Sequence, residues 1–247
     1  ANMVPLSGED VEFATTANNP QSNGPAYGAA LNDLVVPTGS PKTVGNLTNA
    51  SDKNLIVPAN ASIAVNSVVS IKNPGTSTNS TDPSKIQIGS AANQPNGSFI
   101  FNCAAQSASL QPDIYATVEL YAKGFKGTPQ TWTDNINGSP TNGQTFTSSY
   151  HWQHFGVPVE AVQAEPNFYG SFLRQYYENQ NWTVDPSKSS TFYAKWKDLG
   201  NSDVLAAFKG YEITQETEKK YYIPGKLVYC DKDIKLTRKA PAVTNAS

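Results

Sequence analysis

The sequence predicts an all-β protein: a short β-solenoid-like N-terminal part packed on an antiparallel β-sandwich. Three observations carry that expectation. Short apolar runs recur at a near-regular period in residues 1–110, strand-like alternation dominates residues 111–239, and helix signals are scarce throughout. The two parts also differ in chemistry. Residues 1–110 hold ten charged residues and four aromatics, Phe13, Tyr27, Phe99 and Phe101. Residues 111–247 hold 28 charges and 22 aromatics, including all four tryptophans.

In the first part the runs are "VEFATT" at 11–16, "DLVVPTG" at 33–39, "NLIVPANASIAV" at 54–65 and "KIQIGS" at 85–90. The first three start at near-equal intervals, and the fourth follows a longer one. Two share L-x-V-P followed by small polar residues, and Asn/Ser/Gly turns separate them all. One such rung cannot cover its own apolar side, so neighbours stack. The reading places Val35, Ile56 and Ile86 above one another in a shared core. It also expects the second part to close the stack through an apolar interface around Phe99 and Phe101.

The second part opens with "DIYATVELYAKGF" (113–125), where Ile114, Ala116, Val118 and Leu120 share a face. The turn sequences "NINGS" and "PTNGQ" follow, then "QTFTSSYHWQHFGVPVEAV". Next come "SFLRQYYENQNWTVD", "TFYAKWKDL", "GYEITQ", "KKYYIPGKLVYC" and "DIKLTRK". "GYEITQETEKKYYIPGKL" reads as a hairpin closed at "ETE". "SDVLAAFKG" reads as one helical turn capped by Ser202 and ended by Gly210. Residues 240–247, small and proline-containing, read as a linker-like tail, which leads to the expectation of a further domain that lies outside this sequence or has been lost.

Composition narrows function. A net charge of −2, from 18 basic and 20 acidic residues, gives no polyanion-binding surface, so nucleic acid is not an expected partner. No apolar run approaches the length of a membrane span. Low charge and abundant turn residues suit an extracellular protein. Cys103 and Cys230 are compatible with one disulfide or with two buried thiols. Neither cysteine belongs to a zinc-finger or thioredoxin spacing.

The stretch "YHWQHFGVPVEA" (150–161) holds both histidines. Gly156 and Pro158 exclude a helix, so it reads as a strand on which His151 and His154 point apart and cannot grip one ion. His154 is expected to be partly buried and His151 exposed. Trp152 is expected to be largely buried, and its loss to cost roughly 3–5 kcal/mol. Glu160 with Glu165, and Asp198 with Asp203, are the only carboxylate pairs worth weighing for glycoside hydrolysis, and they read as surface carboxylates. No catalytic residue, metal ligand or cofactor is assigned. The ligand-binding candidates are Tyr176, Tyr177 and Trp182 in "NFYGSFLRQYYENQNW", where aromatic rings flanked by Asn, Gln and Glu suit stacking on sugars. Adjacent Tyr176 and Tyr177 face opposite ways on a strand, so one of them is outward.

One resemblance adds to this. The pattern W-x-x-F-G-x-P-V, here Trp152, Phe155, Gly156, Pro158 and Val159 around Val157, resembles a module of exported cell-surface proteins of Bacteroidota. "FKGYEIT" (Phe208–Thr214) and "PGKLVY" (Pro224–Tyr229) fit the same module, and "VGNLTNASDKNLIVPANASIAVN" is similar to the rung that precedes it. The resemblance implies a non-enzymatic, adhesin-like or envelope-structural protein, exported to the cell surface or beyond and associated with type IX secretion. Its implied partners are host or cell-envelope glycans, surface proteins, and secretion or anchoring machinery. A carbohydrate-binding module is the alternative expectation, and a glycan-degrading enzyme the third.

Overall fold

The computed structural model describes residues 11–13, 33–102, 111–124, 127–133, 135, 142–149, 151–176, 182–183, 193–194 and 196–228. Cys103, Cys230, Tyr177 and the tail 240–247 lie outside these residues. The described secondary structure is all β.

The first nine strands are β1 (Val11–Phe13), β2 (Leu34–Val35), β3 (Lys42–Val44), β4 (Leu47–Asn49) and β5 (Leu55–Val57), then β6 (Ser62–Val65), β7 (Val69–Ile71), β8 (Ile86–Ile88) and β9 (Ser98–Phe101). Every ladder among them is parallel. From β2 onward the chain visits three sheets in rotation: β2, β5 and β8 share one, β3, β6 and β9 a second, and β4 and β7 a third with β1. Leu34 pairs with Leu55 and Lys42 with Ile63, the same step along the chain in two different sheets. Corners are turned by Asn60, Asn73 and Asn93, with φ of 63°, 51° and 55°. Asparagine tolerates that left-handed region because its short amide hydrogen-bonds locally.

The register corrects the expected stack. Leu34, Leu55 and Ile86 align, and Val35 aligns with Ile56 and Gln87. Val35 is 54% exposed, whereas Leu55, Val57 and Ile86 are almost fully buried. Side chains alternate along a strand, so a reading shifted by one residue selects the wrong face. The leucine and the valine of L-x-V-P are the inward pair.

Strand β10 (Tyr115–Ala122) joins the two parts. It pairs in parallel with β8, Ala116 against Ile86, and antiparallel with β21 (Lys219–Lys226) along its whole length. The resulting five-stranded sheet runs β2-β5-β8-β10-β21 and crosses residue 110 without a break. Ile114 and Ala116 complete the first apolar core, and Ala122 belongs to the second. Just before β10, the buried Gln111 amide accepts from Val69 N at 2.9 Å and donates to Val69 O at 2.7 Å. It thereby supplies an edge strand with the partner it would otherwise lack. The long excursion between β7 and β8 reaches the second part through Asn167, which accepts from Ser80 N at 2.9 Å and donates to Thr78 O at 3.0 Å. Phe99 and Phe101 pack against the first core and, with Pro158 and Leu227, line a cleft of about 370 Å³ between the parts.

The second part continues with β11 (Gln130–Thr133), β12 (Thr145–Ser148), β13 (Gln153–Phe155), β14 (Ala161–Gln163) and β15 (Phe172–Tyr176). Then come β16 (Trp182–Thr183), β17 (Tyr193–Ala194), β18 (Trp196–Asp198), β19 (Val204–Ala206) and β20 (Tyr211–Thr214). All their ladders are antiparallel, the largest sheet being β13-β20-β15-β18. Phe168 links its inner face to the β10-β21 end of the other sheet, in tilted contact with Phe155 at 5.6 Å and Tyr221 at 5.5 Å, while Phe155 and Tyr211 pack within the sheet at 5.8 Å. Such ring pairs add about 0.5–1.5 kcal/mol each beyond the area they bury.

Two local expectations fail for one reason, which is that distant pairing overrides neighbouring sequence. The segment read as a helical turn at 202–210 contains β19, which pairs with β14 so that buried Val162 and Leu205 lie opposite each other. Tyr211 holds it there, its hydroxyl accepting from Ala206 N at 2.7 Å and donating to Ala206 O at 3.2 Å. The expected hairpin at "ETE" also divides: β20 joins β13 and β15, and β21 joins β10.

The turn between β19 and β20 places Phe208 at φ 60° with 55% exposure. A bulky residue there is strained, and its ring gains no burial in return. Phe208→Gly is expected to raise stability by about 0.5–1 kcal/mol, net of glycine's larger unfolded-state entropy. A thermal melt checks this, and an unchanged or lower midpoint contradicts it.

Candidate contact face

Alternation fixes which residues the four-stranded sheet turns outward. In β15, Leu173 and Gln175 are buried while Phe172, Arg174 and Tyr176 point away from the core. Directly paired residues share a face, so register extends this set across the sheet. His154 pairs with Glu212, Glu212 with Arg174, and Arg174 with Asp198, giving one charged row across all four strands. Tyr176 pairs with Trp196 and Phe172 with Thr214 on the same face.

Glu212 is the centre of the row. Its side chain is only 7% accessible, and its two carboxylate oxygens meet Arg174 Nε at 2.5 Å and His154 Nδ1 at 3.2 Å. A buried carboxylate needs such partners, because desolvation alone would cost several kcal/mol. Aromatic rings then hold the arginine. Its guanidinium carbon lies 3.8 Å from the Trp152 ring centre and 5.0 Å from that of Trp196. His154 stacks on Trp196 at 6.0 Å, and Tyr176 meets the same indole edge-on at 5.2 Å. A desolvated cation over an indole contributes about 2 kcal/mol. The result is a continuous ladder, Trp152–Arg174–Trp196–His154, fixed to the sheet by Glu212.

The outward face of an antiparallel sheet is ordinarily polar. This one is rich in aromatics, and its exposed large hydrophobic rings are Phe172 at 64% and Tyr176 at 46%. They sit on one strand on either side of Arg174.

Several expectations are corrected. His154 is the exposed histidine, its side chain 76% accessible, and His151 is half-buried, because the face carrying His154 turns to solvent. Trp152 is half-buried rather than enclosed, with Arg174 as its cover. Tyr176 points outward, in keeping with the expectation for at least one of the two adjacent tyrosines. Trp182 pairs with Ala194 through its backbone, and its side chain lies outside what is described, as does Tyr177. The sequence candidates do not include Arg174, Glu212 or Trp196. The available signal is an arginine between aromatics in the alternating "FLRQY", but nothing in the sequence joins it to a glutamate as far along the chain as Glu212.

Two of the four carboxylates weighed for hydrolysis, Glu160 and Asp203, have partners of their own. Glu160 and Asp113 hold the Lys226 ammonium at 3.3 and 3.0 Å, and the hydrogen bond to Asp113 raises its pKa above the ordinary lysine value. Asp203 accepts from Gly200 N at 2.7 Å and lies 4.0 Å from Lys197. Asp198 stands beside Arg174 in the outward row. Among the described residues no group of three or more His, Cys, Asp or Glu side chains is placed to hold a metal, and no helix is long and apolar enough to cross a membrane.

No family model matches the chain, and no solved structure matches it. It is 32% identical over 243 residues, 96% of its length, to the minor fimbrium subunit Mfa5 of Porphyromonas gingivalis. The chain spans 16% of that protein's length.

Proposed function

We propose that this chain is a non-enzymatic module of an exported, cell-surface fimbrial-type protein, with an adhesive or envelope-structural role. The observation that carries the reading is the similarity to a fimbrium subunit across nearly the whole chain. The geometry supports it. The parallel strands of residues 33–102 share a sheet that continues through β10 into the antiparallel part, and that part holds an aromatic face outward. Of the four carboxylates weighed for hydrolysis, Glu160 is engaged in an ion pair and Asp203 in a turn.

Antibodies raised against the purified chain test this on intact cells of the source organism. Labelling of the cell exterior, and recovery of the antigen in mechanically sheared surface appendages, is the expected result. Antigen confined to the cytosol after fractionation would overturn it.

A carbohydrate-binding role is a second reading, supported by the outward rings of Phe172 and Tyr176.

A further inference from the structure

We propose that the outward face of the β13-β20-β15-β18 sheet binds a neutral oligosaccharide laid along β15, with Phe172 and Tyr176 as its two stacking platforms and Arg174 between them as a fixed donor. This rests on reading the face as the module's contact surface.

Spacing is the first argument. Phe172 and Tyr176 stand at the two ends of one strand and on one face, which separates their attachment points by about 13 Å. One sugar ring cannot cover both, whereas a short chain of rings can. Both side chains rise from the sheet rather than from a loop, so little conformational freedom is lost when a ligand settles on them.

Chemistry between the rings is the second. Arginine has five N–H donors in a planar fork. Arg174 commits Nε to Glu212 and its flat face to Trp152, and among the described residues its terminal nitrogens remain donors of fixed direction. Asp198, its neighbour on the edge strand, is exposed and supplies an acceptor. A ring–polar–ring alternation matches a sugar chain, which offers C–H faces and hydroxyl edges in turn. It does not match an apolar peptide, because the charged row separates the two exposed rings and no continuous apolar patch results.

Charge is the third. Glu212 balances Arg174, and Asp198 adds a further negative charge to the row. An anionic sugar would meet repulsion here, so the ligand class is neutral.

The test is titration calorimetry of the intact chain against neutral cello-, chito- and manno-oligosaccharides from mono- to hexasaccharide, with sialylated oligosaccharides beside them. The expected result is that at least one neutral series binds, with affinity rising with chain length until both rings are covered and then levelling. Phe172→Ala and Tyr176→Ala should each weaken that binding at least tenfold without lowering the melting temperature, and each should shorten the length at which affinity levels. Absence of binding to every neutral series, binding indifferent to both substitutions, or a preference for the sialylated compounds would each overturn the proposal. A face that takes a protein instead gives no binding to any oligosaccharide and counts against it. Cell-surface labelling is scored on cells and sugar binding on purified protein, so the two readings fail separately.

Discussion

Ile86→Ala is expected to destabilise the protein by about 3–4 kcal/mol, within the range for truncating a fully buried aliphatic side chain. Ile86 has no measurable exposure and lies on β8, with Leu55 beside it on β5 and Ala116 on β10. Three strands of the shared sheet therefore border the cavity, and none of them can shift to fill it without disturbing the others. Ile86→Val, which removes a single methylene, should cost about 1 kcal/mol. Denaturant midpoints of the two variants measure this. A cost for the alanine variant no larger than about 1 kcal/mol would mean that the site collapses freely and the packing described is wrong.

Glu212→Ala should cost a comparable amount, about 3 kcal/mol, by a different route. Removing the carboxylate leaves Arg174 between two indoles without a counter-charge and leaves His154 without its partner. Breaking a buried pair typically costs about 3–5 kcal/mol, and the partial water access of Arg174 places this case at the lower end. Replacing both partners, Arg174→Met with Glu212→Leu, should cost less than Glu212→Ala alone, because no unpaired charge remains. Urea unfolding of the three proteins checks the order. A double variant weaker than the single one would show that an unpaired charge is not what makes Glu212→Ala costly.

The parts of this architecture legible in the sequence are those set by local rules. The repeated L-x-V-P does mark equivalent strands, because its leucine and valine point to one side and the proline ends the ladder. Asparagine at Asn60, Asn73 and Asn93 announces corners because few other residues accept positive φ. Alternation in "FLRQY" gives the inward and outward sets directly, and in "DIYATVELYA" it gives the apolar face, although Thr117 on the opposite face is buried as well.

What the sequence hides is partner choice. "GYEITQETEKKYYIPGKL" has every local mark of a hairpin, yet its two strands go to different sheets. β10 is already aligned beside β8 and offers β21 a longer ladder than β20 would. The expected parallel stack is one residue out of phase because "LVV" and "LIV" are apolar on both sides, so the pattern does not state which side is covered. The aromatic face is hidden by a related gap. Trp152, Arg174, Trp196 and Glu212 come from separate stretches of chain, and only the register brings them together.

Strand β10 makes one structure of the two parts, pairing with β8 on one side and β21 on the other. Equilibrium unfolding of the intact chain in guanidinium, followed by two probes, tests it most directly. All four tryptophans lie in residues 111–247 and report the second part by fluorescence. Hydrogen exchange at the amides of Leu55 and Gly89, which donate to Lys85 O and Val57 O at 2.8 Å, reports the first. The account predicts a single transition with the same midpoint by both probes. Two separated transitions, with the tryptophan signal intact while those amides exchange or the reverse, would contradict it.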